Sequence, residues 1–455
     1  MSFFGNYAAR AAAMDCNDLA PAIEITLNEP TWDAGFDMNL SDSACWARGK
    51  AYDPRVTEGG WGGLTRQFDV QASGLAGLST SVTCADSDGK VRAALVDGDQ
   101  RNSAAVLYSV IPGSADDYAT RFTGLLDSWE FLPGEVQLNF KTDERVLRSN
   151  WPAWPYLKSE WFAMSLESVG AMIPLLYGRH DSAGLSGAGM LPTVPVWVGA
   201  NAWYAVCLGA ADLVKAVYVD GVLKTPTTHY TITYGSYAGG KIITLVEFTA
   251  GNFPGENAEV TVDAYGYPPD EDNTYDGTAV IANPVGQMRH FLCNFAVARS
   301  KGYTGGAPWA TTASIVDSTS WSAAETYAIA KGLESSRFLG GPPRQVDAIF
   351  SEWLESVPGL KAFWNADGKI ALKILSTRWP GYWNGTSQLL RKENELENSF
   401  RYESDTNDLT RKISVRYLHD EVQGDFLRSL DVQDLSVDVL ADSTLDMYWS
   451  PARQV

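Results

Sequence analysis

The stretch FTGLLDSWEFLPGEVQLNF, Phe122–Phe140, decides the fold class. Two β-prone arms flank Pro133–Gly134, a dipeptide that marks a turn. In the second arm Val136, Leu138 and Phe140 alternate with Gln137 and Asn139, the period of a strand with one buried face. Working outward, the upstream chain repeats the pattern in short pieces. DLAPAIEITL places Ile23, Ile25 and Leu27 on one face of a strand. Asp86–Gly89, Asp97–Asp99 and Pro112–Ser114 read as turns between apolar segments. Residues 1–149 therefore read as a β-rich domain.

Downstream, VKAVYVDGVLKT carries Asp220–Gly221 between apolar arms, a two-residue hairpin signal. TTHYTITY, KIITLVEFT and AEVTVDAYGY add strands, so 150–275 reads as a small antiparallel sandwich or barrel. The polar run PPDEDNTYDG, Pro268–Gly277, reads as an exit linker. It follows the first half of a calcium loop, but Asn283 stands where the bidentate Glu belongs.

From 276 the period changes. Asn283–Pro284 is a helix start, and Val285, Met288, Leu292 and Phe295 fall on one helical face. Ser322–Glu325 matches a capping box and predicts a second helix ending near Gly332. A third carries Val346, Ile349, Phe350, Trp353 and Leu354, and is stopped by Pro358–Gly359. Asp367–Gly368 then joins two β-prone arms. The tail KISVRYLHDEVQGDFLRSLDVQ reads as strands. The expected fold class is mainly β (α+β) and multi-domain: β-barrel or sandwich domains, then an α+β domain over 276–455 with three short helices and β-hairpins.

The chain has 455 residues and a formal net charge of -20, with a pI near 4.6. Such acidity argues against a protein that grips nucleic-acid phosphates with clustered Lys and Arg. The five cysteines, Cys16, Cys45, Cys84, Cys207 and Cys293, are dispersed and odd in number. They read as reduced thiols, with neither a disulfide framework nor a zinc site. MSFFGNYAARAAAMD has no long apolar segment, and no run of about 18 apolar residues occurs, so a transmembrane span is not expected.

Signals for chemistry are sparse. The four histidines (His180, His229, His290, His419) are not at metal-ligand spacing. His180 and Asp181 sit in what reads as a polar loop, and adjacency in one loop is not triad geometry with Ser186. GLSGAG is not a nucleophile elbow. No catalytic residue, cofactor site or metal site is assigned.

One aromatic cluster stands out. NWPAWPYLKSEWF, Asn150–Phe162, lies where the first β unit ends. Pro152 and Pro155 stiffen it and keep it out of a helix. Trp151, Trp154, Tyr156 and Trp161 read as an interdomain seam rather than a sugar platform. Near the chain ends, Phe3, Phe4, Tyr7, Met447, Tyr448 and Trp449 are candidate inter-subunit contacts.

Taken in order, five segments resemble tail-tip and baseplate proteins of tailed bacteriophages. They are Arg121–Phe162, Tyr218–Tyr234, Asn283–Phe295, Ser318–Leu333 and the run from Arg344 through KIALKIL. The last is similar to the helix-plus-hairpin part of central baseplate hub proteins. The resemblance implies a non-enzymatic structural protein of the virion, made and assembled in the bacterial host cytoplasm. It implies a homo-oligomer, a trimeric or hexameric ring linking tail tube to tip or spike proteins, with DNA passing through without specific binding. Relatives are expected to continue past MYWSPARQV, so a wedge or adaptor role stands beside the hub. A carbohydrate-binding tail adhesin is the rival from a different class.

Overall fold

A computed structural model describes residues 20–27, 38–66, 75, 77–96, 100–151, 168–182, 189–197, 202–237, 241–255, 258–268, 280–296, 315–357, 359–374, 412–420, 422, 425–433 and 453–454. The fold is mainly β, in several sheets, and no barrel closes among the described residues.

The first region is a ten-stranded sheet. Its strands are β1 (Ala20–Thr26), β2 (Met38–Ser41), β3 (Cys45–Ala47), β4 (Lys50–Pro54), β5 (Val56–Trp61), β6 (Thr65–Arg66) and β7 (Leu78–Ala85). After helix α1 (Lys90–Val96) come β8 (Ala104–Val110), β9 (Tyr118–Leu132) and β10 (Glu135–Lys141). The order is β3-β4-β2-β1-β8-β9-β10-β7-β5, with β6 also on β7. The Phe122–Phe140 stretch behaves as its period predicts: Glu135 faces Leu132 across the turn, and Gly134 takes φ +76°. Val136, Leu138 and Phe140 are buried with Ile23, Phe122 and Leu126. Leu27 and Trp129 pack at the edge of that core, only partly buried.

Helix α1 is not among the elements that the sequence predicts for this β-rich unit. It covers the core with Val91, Ala94 and Leu95. Asp86 starts it, accepting the N–H groups of Val91 at 2.8 Å and Arg92 at 3.2 Å, two donors that a helix leaves unpaired. DSDG is thus a turn and a cap at once. Both ends of the sheet are blunted: β3 has three residues, and β5 is irregular between Val56 and Trp61.

Helix α2 (Arg145–Arg148) leads out to β11 (Asn150–Trp151). Then come β12 (Leu175–Tyr177), β13 (Arg179–His180), β14 (Leu191–Pro192), β15 (Val194–Trp197), β16 (Trp203–Leu208), β17 (Leu213–Val219), β18 (Val222–Leu223), β19 (Tyr230–Tyr237), β20 (Lys241–Phe248) and β21 (Val260–Tyr265). Asp220 and Gly221 both take positive φ, 49° and 74°, as a primed hairpin turn requires. The strands read as one antiparallel unit divide between two sheets. β13 and β14 pair with β21, which continues to β17 and β18; the other sheet runs β15-β16-β20-β19. Residues from both, such as Val217, Val262, Val206 and Leu245, share one core.

Helix α3 (Pro284–Phe291) runs on into a π-helical turn, Leu292–Ala296. Asn283 caps it, accepting from Gly286 N at 2.6 Å, and all four residues of the expected face are buried. Helix α4 (Ser318–Ala330) begins four residues before the expected capping box. Asp317 is the cap, accepting from Ser320 N at 3.3 Å. The earlier start places Trp321 inside the helix, where it is buried and its indole donates to Ile370 O at 2.8 Å. β22 (Arg337–Leu339) and β23 (Arg344–Gln345) precede α5 (Val346–Ser356), whose five expected core residues are all buried. β24 (Leu360–Trp364) and β25 (Ile370–Ile374) form the hairpin around Gly368, at φ +69°. β26 (Lys412–Asp420) pairs with β27 (Asp425–Gln433), and β28 (Arg453–Gln454) runs parallel to β26. One hydrophobic cluster from Leu147 to Leu372 joins the two middle sheets, the three helices and the β24–β25 hairpin.

Candidate functional site

Two places gather chemistry: a buried aromatic junction and an open polar cleft. The junction forms because distant strands splice the chain together. β11 pairs with β23, setting Trp151 opposite Arg344, and β12 pairs with β22. Trp151 is buried and meets Phe291 edge-on at 5.8 Å, and Phe291 lies 5.4 Å from Trp353. Tyr177 meets Trp353, His290 and Tyr267 edge-on, all within 5.6 Å, and His290 stacks on Tyr267 at 5.0 Å. Such offset and edge-on pairs contribute beyond their buried area.

The polar atoms here serve the packing. The Tyr177 hydroxyl lies 3.0 Å from His290 Nδ1. Burial alone pushes the imidazole down to about 3, so it is neutral near pH 7, and burial holds the phenol protonated. The contact then fits the phenol as donor. Trp353 Nε1 donates to Gln287 Oε1 at 3.1 Å, while Gln287 Nε2 donates to Ile281 O and Ser335 O. The β24–β25 hairpin comes close to the first sheet. A Cβ on Gly368 would stand 3.1 Å from Thr123 O of β9.

Of the residues proposed for the interdomain seam and the inter-subunit contacts, only Trp151 lies among the described residues. Trp154, Tyr156, Trp161, Phe3, Phe4, Tyr7, Met447, Tyr448 and Trp449 lie outside the described residues, as does the 269–277 acidic run. Tyr177, Tyr267 and His290 were missed as partners. Only the position of His290 beside the α3 stripe hinted at burial.

The cleft lies beside the β17–β18 hairpin and holds about 470 Å³. Its lining includes Asp181, Lys215, Tyr218, Lys224, Tyr230 and Asp263. Asp263 sits at the back, buried, and burial raises its carboxyl above the usual range. It accepts from Met190 N at 3.1 Å, Ser182 N at 3.3 Å, Ser182 Oγ at 2.9 Å and Tyr218 OH at 3.4 Å. Asp181 takes the Lys215 ammonium and the Tyr265 hydroxyl. His180 is not in a polar loop. Pairing of β13 with β21 buries it, and its Nε2 lies 3.1 Å from Tyr177 O. His180 and Asp181 therefore engage different partners, and Ser186 lies outside the described residues.

Among the described residues no group of three His, Cys, Asp or Glu is placed to hold a metal ion. No described helix is long and apolar enough to cross a membrane. The thiols of Cys84 and Cys207 are buried and pushed up to about 12, so they stay protonated.

A scan of protein-family models gave no match, and a search of curated proteins gave none. Among solved structures, a chain in the virion of a native gene transfer agent particle is similar over 67% of this chain and 94% of that one. The identity is 13% and the TM-score 0.25, a likeness too slight to carry an argument about function.

Proposed function

We propose that this chain is a structural component of a phage-like virion, acting in the tail tip or baseplate in a hub-like position. In this role it forms an oligomeric ring, joins the tail tube to tip or spike proteins, and lets DNA pass. The observation that carries the reading is the order of the resembling segments along the chain. They correspond to the β9–β10 hairpin, the β17–β18 hairpin, α3, α4, and α5 with its β24–β25 hairpin. The net charge of -20 suits a channel wall that does not hold DNA. The blunted sheet edges leave faces, loops and chain ends as the surfaces for partners. The role requires no catalytic residue and no cofactor.

A reconstruction of the intact particle tests this. Copies ringing the tail axis with threefold or sixfold symmetry are expected. Copies confined to the periphery would replace the hub with a wedge or adaptor. Absence of the chain from purified particles would overturn the virion role, and an axial channel lined with Lys and Arg would overturn the account of DNA passage.

A further inference from the structure

We propose that the cleft beside the β17–β18 hairpin is a binding site for an acidic sugar, a hydroxyl-rich ring bearing one carboxylate. The inference stands apart from the assembly reading, since a virion protein in any position could carry it. The volume, about 470 Å³, falls in the ~300–1,000 Å³ range of small-molecule sites and suits one or two sugar rings.

The lining sorts by depth. Tyr230, buried, gives an apolar floor, and Leu223 and Pro226 give an apolar lip. At the back, Asp263 is fixed by its four donors, one of them the Tyr218 hydroxyl. The phenol proton is thereby directed inward, and the Tyr218 oxygen, which the Ser182 side chain also reaches, keeps a lone pair for a ligand hydroxyl. Lys215 is held against Asp181 while nearly half of its side chain stays exposed, which leaves ammonium protons for the cleft.

Lys224 supplies the charge. It lines the cleft on the rim and forms no ion pair among the described residues, in a chain with 55 acidic side chains and 35 basic ones. An ammonium on the rim of a cleft is able to take a ligand carboxylate. A phosphate dianion fits less well, because Asp181 and Asp263 share the same cleft and like charges repel. A neutral sugar leaves Lys224 unused. A monoanion rich in hydroxyls meets every group.

The full-length chain is titrated with sodium D-galacturonate, with methyl α-D-galactoside and with inorganic phosphate, following ligand-observed NMR and calorimetry. Saturable uronate binding is expected, weaker in high salt and stronger than for the galactoside or phosphate. Lys224→Ala weakens it about tenfold or more, as loss of a charge-assisted hydrogen bond does. Tyr218→Phe weakens it less, with unchanged circular dichroism in both variants. Absence of saturable uronate binding, phosphate or galactoside binding as tightly as uronate, or an unchanged dissociation constant in Lys224→Ala would overturn the assignment. Failure here leaves the ring reading untouched, because that reading rests on particle position.

Discussion

The ten-stranded sheet draws its core from one continuous span, Ile23 to Phe140, and closes it with its own helix, α1. The second core draws on residues from Leu147 to Leu372 and is closed by contacts such as Tyr177 with His290, 113 residues apart. The first region is held by neighbouring strands in register. The second has paired strands too, and adds a junction of large aromatic side chains that ties its sheets to its helices. A substitution in one should therefore be felt mainly within that region, except where Gly368 meets Thr123.

Four experiments break or sharpen this contrast. The largest effect is expected from Trp353→Ala, which empties the centre of the junction and leaves Gln287 Oε1 without its indole donor. A loss of about 3–5 kcal/mol is expected. Calorimetry should show the transition of the second core moving down while that of the ten-stranded sheet stays. A joint shift would mean one cooperative unit.

Acid comes next. An unfolded imidazole takes a proton below about 6.5, whereas buried His290 resists until about 3. Between those values the unfolded chain binds the extra proton. The contribution of His290 is thus full above about pH 6.5 and lost as pH falls towards 3, on the order of a few kcal/mol. His290→Phe should flatten the acid limb of stability against pH. An identical limb in the variant would assign acid sensitivity to other groups.

Gly368→Ala probes the bridge between regions. Its φ of +69° strains any side chain, and the new Cβ would press on Thr123. A cost of about 1–2 kcal/mol is expected, with faster amide exchange in both β24–β25 and β9. Change in the hairpin alone would make the contact incidental. The smallest effect belongs to Asn283→Ala, about 1 kcal/mol for a lost helix cap. Hydrogen exchange should show it in the first turn of α3 only.

What could be read in advance follows the same divide. Val136, Leu138 and Phe140 announce their strand because the half-buried period lies within seven residues. Val346, Ile349, Phe350, Trp353 and Leu354 announce α5 for the equivalent reason. Asp86 reads as a turn residue and sits in one, yet its second role as a cap is hidden because α1 is only seven residues long. The start of α4 is ambiguous in the sequence because Ser322 and Asp317 are both good caps, and the burial of Trp321 decides for Asp317. His180 read as a loop residue because nothing local signals its pairing with β21. The cleft was invisible for a stronger reason: Asp181, Lys215 and Asp263 come from three separate segments that only the sheet brings together.

The pairing of β11 with β23 has a consequence in time. Asn150 is bonded opposite Gln345, about 195 positions further along. A ribosome adding roughly 5–20 residues per second needs about 10–40 s to cover that distance. Measured from emergence to emergence, Trp151 waits that long for its partner strand to leave the exit tunnel. The ten-stranded sheet can finish folding meanwhile, and a bare indole at its exit waits within reach of chaperones and of neighbouring nascent chains.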